Sequence, residues 1–231
     1  MNLPQLNFFR NLSEENKQFA VIGLGRFGSA VCSTLHSSNY EVLAIDQDET
    51  KVNKILTDRI AAHAVRVDTT EPAALKEAGI LEFDTVIVAI GTYLAQSITT
   101  TLNLKEGGVK NVVAKASSEI HMKLLKKVGA DHVVFPEWEM GCSLARSLTK
   151  PHILDRFDLD LKHSIVELLV PEKFVGKTLA DLDLRRRYGL TVLAVSQNQK
   201  FQINPDPQQR LLMGSMFVVI GSNQDINRLP I

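Results

Sequence analysis

The sequence predicts an α/β chain, with a doubly wound parallel sheet followed by a small α+β C-lobe. Short, continuous apolar stretches alternate with helical patterns six times before residue 150, and a glycine loop joins the first strand to the first helix. After Pro151 the pattern changes to strands with alternating side chains. Continuous apolar strands need helices on both faces of a parallel sheet, so the first part is predicted to be a Rossmann-type fold.

The predicted elements of this first domain, residues 18–150, alternate without interruption. The first helix places Phe27, Ala30 and Leu35 on one face, and Pro72 stands in the first turn of a later helix, where proline is tolerated. The predicted strands are 19–22, 42–45, 64–67, 85–90, 111–114 and 132–135. The predicted helices are 26–38, 49–57, 71–78, 93–106, 118–128 and 137–149. Residues 1–17 are polar and irregular and are expected to form an N-terminal arm.

Residues 151–231 are predicted to form a hinge and the C-lobe, with the domain boundary near residues 150–158. Residues 158–170 alternate in the manner of one or two strands, since Ile165, Glu167 and Leu169 share one face. Further strands are predicted at 190–195 and 216–220, and a turn at 198–200 leads to another short strand. Short helices are predicted near 179–187 and at 223–229.

Charge and composition exclude several classes of protein. The 231 residues carry no net charge, which argues against a nucleic-acid-binding surface. No apolar run approaches the ~20 residues of a membrane-spanning helix, and the first residues lack the pattern of a signal peptide. Cys32 and Cys142 form no CxxC pair and no zinc spacing, which fits a reducing compartment. We therefore expect a cytoplasmic protein that does not insert into the membrane and binds no nucleic acid.

The glycine loop is the strongest local signal in the sequence. Gly23, Gly25 and Gly28 form a GxGxxG pattern between a predicted strand and a predicted helix, and Asp46 ends the next strand about twenty residues later. Glycines in this pattern allow a tight turn and the approach of a phosphate, while the acidic residue accepts hydrogen bonds from ribose hydroxyls. The pattern predicts a nucleotide site. It leaves NAD and the adenosine phosphates as alternatives and argues against NADP.

Residues for catalysis are not evident. His163 stands near the start of a strand and is interpreted as structural, and His121 is interpreted as an exposed helix residue. No Ser–His–Asp order, HExxH motif or Walker lysine is present. We therefore predict that the chain is not an enzyme. An NAD(H)-binding redox sensor or small oxidoreductase is kept as the alternative, and a Rossmann-type transcriptional regulator is disfavoured because no helix-turn-helix is evident.

Several blocks of the sequence resemble the RCK family, the regulators of potassium conductance. These blocks are residues 23–29, 42–46, 86–91, 128–137 (VGADHVVFPE), 176–179 (GKTL) and 182–189 (LDLRRRYG), and the likeness extends over residues 18–228. The single glycine loop is similar to KtrA-like subunits within the TrkA N-terminal and C-terminal domain family, whose TrkA members have two copies. The resemblance implies homodimers that assemble into an octameric ring beneath a KtrB-like potassium channel subunit, with ATP activating and ADP inactivating.

The resemblance also assigns roles to residues around the glycine loop. Arg26 would reach the γ-phosphate bound by a neighbouring subunit, and Asp46 would hold the ribose. Asp68 would lie near the adenine edge, and Lys115 would lie at the polar mouth of the cleft. The other predicted nucleotide-binding residues are Gly23, Gly25, Phe27, Gly28, Gln47, Thr69, Ala89, Ile90 and Gly91.

Two further ligands follow from the resemblance alone. Glu137 would help to hold a divalent cation, Mg²⁺ or Ca²⁺, beside the γ-phosphates at the dimer interface. Cyclic di-AMP would bind the C-lobe through Arg185, with Val192 and Pro205 as apolar neighbours. Thr191 stands where close relatives have asparagine, which leaves cyclic di-AMP binding open.

Overall fold

A computed structural model describes residues 18–149, 152–197 and 200–229. The described chain divides into two compact units, one ending at Met140 and the other beginning at Gly141. The predicted N-terminal arm, residues 1–17, and most of the predicted turn at 198–200 lie outside the described residues, and the domain limits 18–150 and 151–231 stay a prediction.

The first unit is built on six parallel strands, counted over its described residues, in the order β3-β2-β1-β4-β5-β6. This is the strand order of a Rossmann fold, so the predicted doubly wound sheet is confirmed. The strands are β1 (Phe19–Ile22), β2 (Val42–Asp46), β3 (His63–Arg66), β4 (Thr85–Val88), β5 (Asn111–Lys115) and β6 (His132–Val134). The helices are α1 (Arg26–Ser37), α2 (Glu49–Thr57), α3 (Pro72–Glu77), α4 (Leu94–Glu106) and α5 (Glu119–Lys127).

Burial follows the position of each strand in the sheet. Every residue of the two central strands, β1 and β4, is buried, whereas the edge strand β3 has two half-buried and two exposed residues. Central strands covered on both faces read as continuous apolar runs, which is the signal that the sequence carries at these positions. The core of this unit includes Ile22, Ile45 and Val88 from three adjacent strands.

The second unit contains a separate antiparallel sheet in the order β10-β9-β11-β8-β7. Its core is formed by residues such as Leu168, Phe217 and Val219, all fully buried. The alternation predicted at 158–170 lies in one strand, His163–Leu169, and only Asp158 of that range belongs to the strand before it. The strands are β7 (Ile153–Asp158), β8 (His163–Leu169), β9 (Thr191–Gln197), β10 (Lys200–Ile203) and β11 (Met216–Ser222). The predicted small α+β lobe is confirmed.

Short helices complete the second unit, and helix α6 (Pro136–Thr149) contributes residues to both units. The others are α7 (Leu179–Leu182), α8 (Leu184–Tyr188) and α9 (Asn223–Ile226). Helix α7 begins with a capping box, in which Thr178 Oγ1 accepts from the Asp181 amide and the Asp181 carboxylate accepts from the Thr178 amide. Within the described residues, no helix combines the length and apolarity needed to cross a bilayer.

The interpretation of His121 as an exposed helix residue is wrong. The side chain is fully buried on the same face of α5 as Leu125, four residues later, because residues at this spacing share a helix face. Its Nδ1 atom accepts from the Ser117 amide at 3.2 Å. Burial lowers the pKa of the His121 imidazole, so the ring is neutral at physiological pH and serves as a packed core residue.

Of the two cysteines, Cys32 is buried and Cys142 is half-buried, and both are free thiols. Burial raises the pKa of the Cys32 thiol to about 12. A thiol with so high a pKa is not a nucleophile at neutral pH, so Cys32 is a packed, unreactive thiol.

Candidate nucleotide-binding cleft

The glycine loop leaves β1 and enters α1 in a conformation that requires glycine at two positions. Gly23 has φ +97°, and a Cβ atom there would lie 3.0 Å from the backbone of Ala89. A Cβ atom on Gly28 would collide with the carbonyl oxygen of Gly23. Gly25, in contrast, is exposed with open space around it, so a ligand can approach its backbone. The three glycines therefore serve the turn, the helix–strand packing and the ligand approach.

The start of helix α1 is open to an anion. Gly25 is the N-cap residue, no side chain caps the helix, and the first turn has no acidic residue. The first N–H groups of a helix have no partner within the helix, and the helix dipole places partial positive charge there. The loop and the helix start can therefore bind phosphate.

A cleft of about 130 Å³ opens at the carboxyl edge of the parallel sheet. A single water occupies only about 10–15 Å³ of such a volume, so the cleft has room for part of a larger ligand. The lining comes from the segments after β1, β2, β3 and β4. The lining residues are Ile22, Gly23, Gly25, Asp46, Gln47, Lys51, Val67, Asp68, Thr69, Thr70, Ala89, Ile90, Gly91, Thr92, Tyr93 and Gln96.

Asp46 is buried at the end of β2, with only 7% of the residue exposed. Its carboxylate accepts from the Leu24 amide at 2.7 Å and the Asp48 amide at 2.9 Å, and Lys51 Nζ lies 3.2 Å away. These donors satisfy a charge that burial would otherwise penalise. The carboxylate is thus held rigidly between the glycine loop and α2. Lys51, which sequence reasoning missed, adds a positive charge to this wall.

The loop after β3 is fastened to helix α4. Asp68 Oδ1 accepts from the amide and the hydroxyl of Thr70, and these hydrogen bonds lower the pKa of the Asp68 carboxyl. The hydroxyls of Thr69 and Thr100 lie 2.8 Å apart, and Asn103 donates to the Thr70 carbonyl at 2.8 Å. One wall of the cleft is therefore tied to the helix that follows β4.

Lys115 and Glu137 form an ion pair beside the glycine loop. Lys115 Nζ lies 2.5 Å from the Glu137 carboxylate and 5.7 Å from the centre of the Phe27 ring. A Cβ atom on Gly91 would lie 3.2 Å from the same ammonium group. The hydrogen bond from Lys115 is the largest cause that holds the pKa of Glu137 below its usual range, with a smaller Coulombic contribution from Arg26.

Arg26 is the exposed first residue of α1, and its guanidinium has no hydrogen bond or ion pair within the described chain. A cation at a helix start is placed unfavourably against the helix dipole. An unpaired guanidinium next to an open phosphate site is therefore available to a ligand.

The structure brings most, but not all, of the predicted residues into the cleft. Nine line it: Gly23, Gly25, Asp46, Gln47, Asp68, Thr69, Ala89, Ile90 and Gly91. Five others, Arg26, Phe27, Gly28, Lys115 and Glu137, are not among the lining residues. The prediction missed the other seven lining residues, which are Ile22, Lys51, Val67, Thr70, Thr92, Tyr93 and Gln96. The last three follow strand β4, and the rule that ligands bind beyond the carboxyl ends of parallel strands could have found them.

The predicted C-lobe residues lie on helix α8, on strand β9 and, for Pro205, in the loop after β10. Arg185 in α8 and Thr191 at the start of β9 are exposed, whereas Val192 and Pro205 are half-buried. Val192 packs against the core of the lobe. Their role in binding cyclic di-AMP stays a prediction.

Protein side chains do not by themselves form a divalent-cation site in the described residues. No group of three or more His, Cys, Asp or Glu side chains there is arranged to hold a metal ion. Glu137 supplies one carboxylate, which is paired with Lys115. This donor set fits a cation only if phosphate oxygens complete it.

Together, the strand order, the glycine loop and the cleft define a Rossmann-type nucleotide-binding domain, followed by a separate antiparallel lobe. Residues 19–136 match the TrkA-N domain family, and residues 164–229 match the TrkA-C domain family. The chain is 42% identical to Ktr system potassium uptake proteins C and A of Bacillus subtilis, over 92% and 93% of this chain and 95% and 96% of theirs. The Ktr system potassium uptake protein A of Vibrio alginolyticus is 36% identical over 89% of this chain and 93% of its own.

The chain therefore belongs to the family of Ktr system potassium uptake proteins. The family confirms the resemblance found in the sequence. It also confirms the prediction that the chain is not an enzyme, because these relatives are potassium uptake proteins.

Solved structures support the fold. The structure titled "GsuK channel bound to NAD" aligns with a TM-score of 0.64 and 18% identity over 92% of this chain and 38% of that one. The structure of the GsuK RCK domain aligns with a TM-score of 0.62 and 17% identity over 97% of this chain and 51% of that one. At this identity the likeness shows a shared fold, the RCK fold.

Proposed function

We propose that the chain is a cytoplasmic, nucleotide-sensing regulatory subunit that gates a membrane potassium-uptake channel of the Ktr type. ATP favours the conducting state and ADP the inactive state. One observation carries this proposal: an uncapped helix start faces open space beside the unpaired guanidinium of Arg26, in a chain related to Ktr proteins. Membership of the family supports potassium as the transported ion, and the site supports a nucleotide as the regulatory ligand.

The cleft provides for each part of an adenosine nucleotide. The glycine loop and the start of α1 receive the phosphates, because their N–H groups and dipole favour negative charge. Asp46, fixed at the end of β2, lies where a ribose would pass on leaving the loop. Asp68 lies farther along the same edge, in the loop after β3.

Discrimination between ATP and ADP requires a group that contacts the γ-phosphate, since the two ligands are otherwise the same. Arg26 is suited to this contact because a guanidinium forms directional, charge-assisted hydrogen bonds with phosphate oxygens. A ligand shifts a conformational equilibrium only by its difference in affinity for the two states. In this proposal Arg26 contributes that difference by reaching the γ-phosphate held by a neighbouring subunit.

The surface of helix α6 supports the proposal that the chain binds a second copy of itself. None of its described residues is buried, and four large apolar side chains stand exposed. These are Trp138 at 63%, Met140 at 69%, Leu144 at 58% and Leu148 at 73%. Such a concentration of apolar surface is typical of an interaction site. We propose that it packs in a homodimer and that dimers assemble into the octameric ring that the resemblance implies.

The remaining ligands of the proposal are a cation and a dinucleotide. A divalent cation, Mg²⁺ or Ca²⁺, would take Glu137 as one ligand and phosphate oxygens as others, and Lys115 would release the carboxylate. Such a cation would offset the repulsion of facing phosphates. Cyclic di-AMP would bind the C-lobe through Arg185. The ring would attach to the inner face of the membrane through a KtrB-like channel subunit.

Potassium flux into liposomes that contain a KtrB-like channel subunit tests this function. Flux should require the protein, should be higher with ATP than with ADP, and should lose this difference in Arg26→Ala. Equal flux with both nucleotides, or flux that follows the ratio of NADH to NAD, would contradict it. The latter result would favour the alternative, an NAD(H)-binding redox sensor.

A further inference from the structure

The start of helix α4 presents groups that the phosphate and ribose contacts leave unused. Thr92, Tyr93 and Gln96 all line the cleft after β4. Tyr93 is 60% exposed, and its side chain does not cap the helix. Within the described chain, the Tyr93 ring has no aromatic contact and the Gln96 amide has no hydrogen-bond partner. An exposed aromatic ring and an unpaired amide in a cleft are available to a ligand.

The position of Gln96 on α4 places it beside the loop that follows β3. Gln96, Thr100 and Asn103 are spaced by four and three residues, so they share one face of the helix. Thr100 and Asn103 bind Thr69 and Thr70 of that loop by hydrogen bonds. Gln96 therefore lies one turn before these contacts, at the end of the same face that opens to the cleft. The loop after β3 and the start of α4 form two sides of one compartment.

This compartment matches the chemistry of a purine base. Aromatic side chains bind bases by stacking on their faces, and a glutamine amide pairs with the N6 and N7 atoms of adenine through two hydrogen bonds. The corresponding edge of guanine presents two acceptors, O6 and N7, so the same amide can satisfy only one of them. Stacking therefore contributes affinity for any base, and the amide contributes a preference for adenine.

We propose that Tyr93 and Gln96 form the base subsite of the cleft, in which Tyr93 stacks on the base and Gln96 selects adenine over guanine. This inference rests on the proposed nucleotide site and adds to it the choice of base. The γ-phosphate contact of Arg26 has no part in the base subsite. A diphosphate ligand therefore tests the subsite separately.

Calorimetric titration with ADP and GDP tests the subsite in the full chain. Tyr93→Ala should weaken the binding of both nucleotides by roughly 5- to 100-fold, the loss expected when a stacked aromatic side chain is removed. Tyr93→Phe keeps the ring and should bind both within about twofold of the wild type. Gln96→Leu should lower the preference for ADP over GDP by roughly 5- to 100-fold, because the paired hydrogen bonds are lost.

Leu94→Ala is the matched control, because Leu94 is 39% exposed at the same helix start but does not line the cleft. It should leave both affinities unchanged, and thermal unfolding should show that every variant is folded. Wild-type affinity for ADP and GDP in both Tyr93→Ala and Gln96→Leu would overturn the base subsite and leave the nucleotide site standing. A wild-type chain that binds no adenosine nucleotide would instead contradict the proposed function.

Discussion

The ribose side and the outer rim of the cleft differ in how far the protein satisfies its own charges. Asp46 is buried, and its carboxylate accepts from two backbone amides and pairs with Lys51. At the rim, Arg26 is exposed and has no hydrogen bond or ion pair within the described chain, and Glu137, whose side chain is 63% exposed, pairs with Lys115. The buried side is thus fixed before any ligand arrives. The rim keeps charge available for a γ-phosphate, a cation or a second chain. Under the proposed function, the nucleotide is bound at the buried side and distinguished at the rim.

Substitutions in the glycine loop should have the largest effect, and they test the ribose side of the cleft. Gly28→Ala places a Cβ atom against the Gly23 carbonyl, and overpacking of this kind destabilises by on the order of 3 kcal/mol. We expect a large fall in the midpoint of chemical unfolding and a loss of ADP binding. Gly25→Ala is the matched control, because a Cβ atom there meets nothing within 4 Å. Gly25→Ala should be as stable as the wild type but should bind ADP more weakly than the wild type does. Equal stability of Gly25→Ala and Gly28→Ala would contradict this account of the loop.

Asp46 tests whether the buried carboxylate has both a structural and a binding role. Asp46→Ala leaves the Leu24 and Asp48 amides without their acceptor, and the loss of a partner for the buried Leu24 amide costs about 1–3 kcal/mol. Unfolding in urea should show this loss. Titrations should show weaker binding of ATP, ADP and NAD alike. A variant that bound them with wild-type affinity would remove Asp46 from the ribose contact.

Arg26 tests the rim, where we expect an effect on one ligand rather than on the fold. Arg26→Ala should leave stability unchanged, because the side chain is exposed and makes no hydrogen bond or ion pair with the described residues. It should weaken ATP binding by about 10- to 100-fold, the equivalent of a charge-assisted hydrogen bond of about 1.5–3 kcal/mol. ADP binding should change little. If titration shows equal losses for both nucleotides, Arg26 does not contact the γ-phosphate.

The smallest expected effect concerns the Lys115–Glu137 ion pair. The pKa of Glu137 is lowered chiefly by the hydrogen bond from Lys115, so the stabilisation is complete above the ordinary pKa of glutamate. It is lost as the pH falls through the lowered pKa of the folded state. Glu137 is largely exposed, so the pair contributes no more than about 1 kcal/mol. Lys115→Met should be slightly less stable than wild type at pH 7, with the difference shrinking at acidic pH, and a constant difference would contradict this.

The fold could be predicted almost completely from the sequence because burial on both faces leaves continuous apolar runs. The runs that became β1 and β4 are fully buried strands. The final strand of the C-lobe, β11, continues to Ser222, two residues beyond the predicted end at 220. His121 was misread because its polar side chain gives no apolar signal, although it shares the buried face of Leu125.

The site could be predicted where a motif fixes the backbone, and less well where the fold alone brings residues together. Gly23, Gly25 and Asp46 belong to one recognisable pattern and line the cleft as expected. Tyr93 and Gln96 belong to no motif, and they line the cleft only because β4 lies next to β1 in the sheet. Lys51 was missed for a similar reason, since its contact with Asp46 depends on the geometry of α2.

The central claim, that the protein distinguishes ATP from ADP, is tested most directly by parallel titrations with ATP, ADP, NAD and NADH, with light scattering and solution X-ray scattering on the same samples. We expect ATP and ADP to bind in preference to NAD and NADH, to a large assembly whose scattering profile differs between the two nucleotides. Tight binding of NADH by a simple dimer, with no change on addition of ATP, would contradict the account.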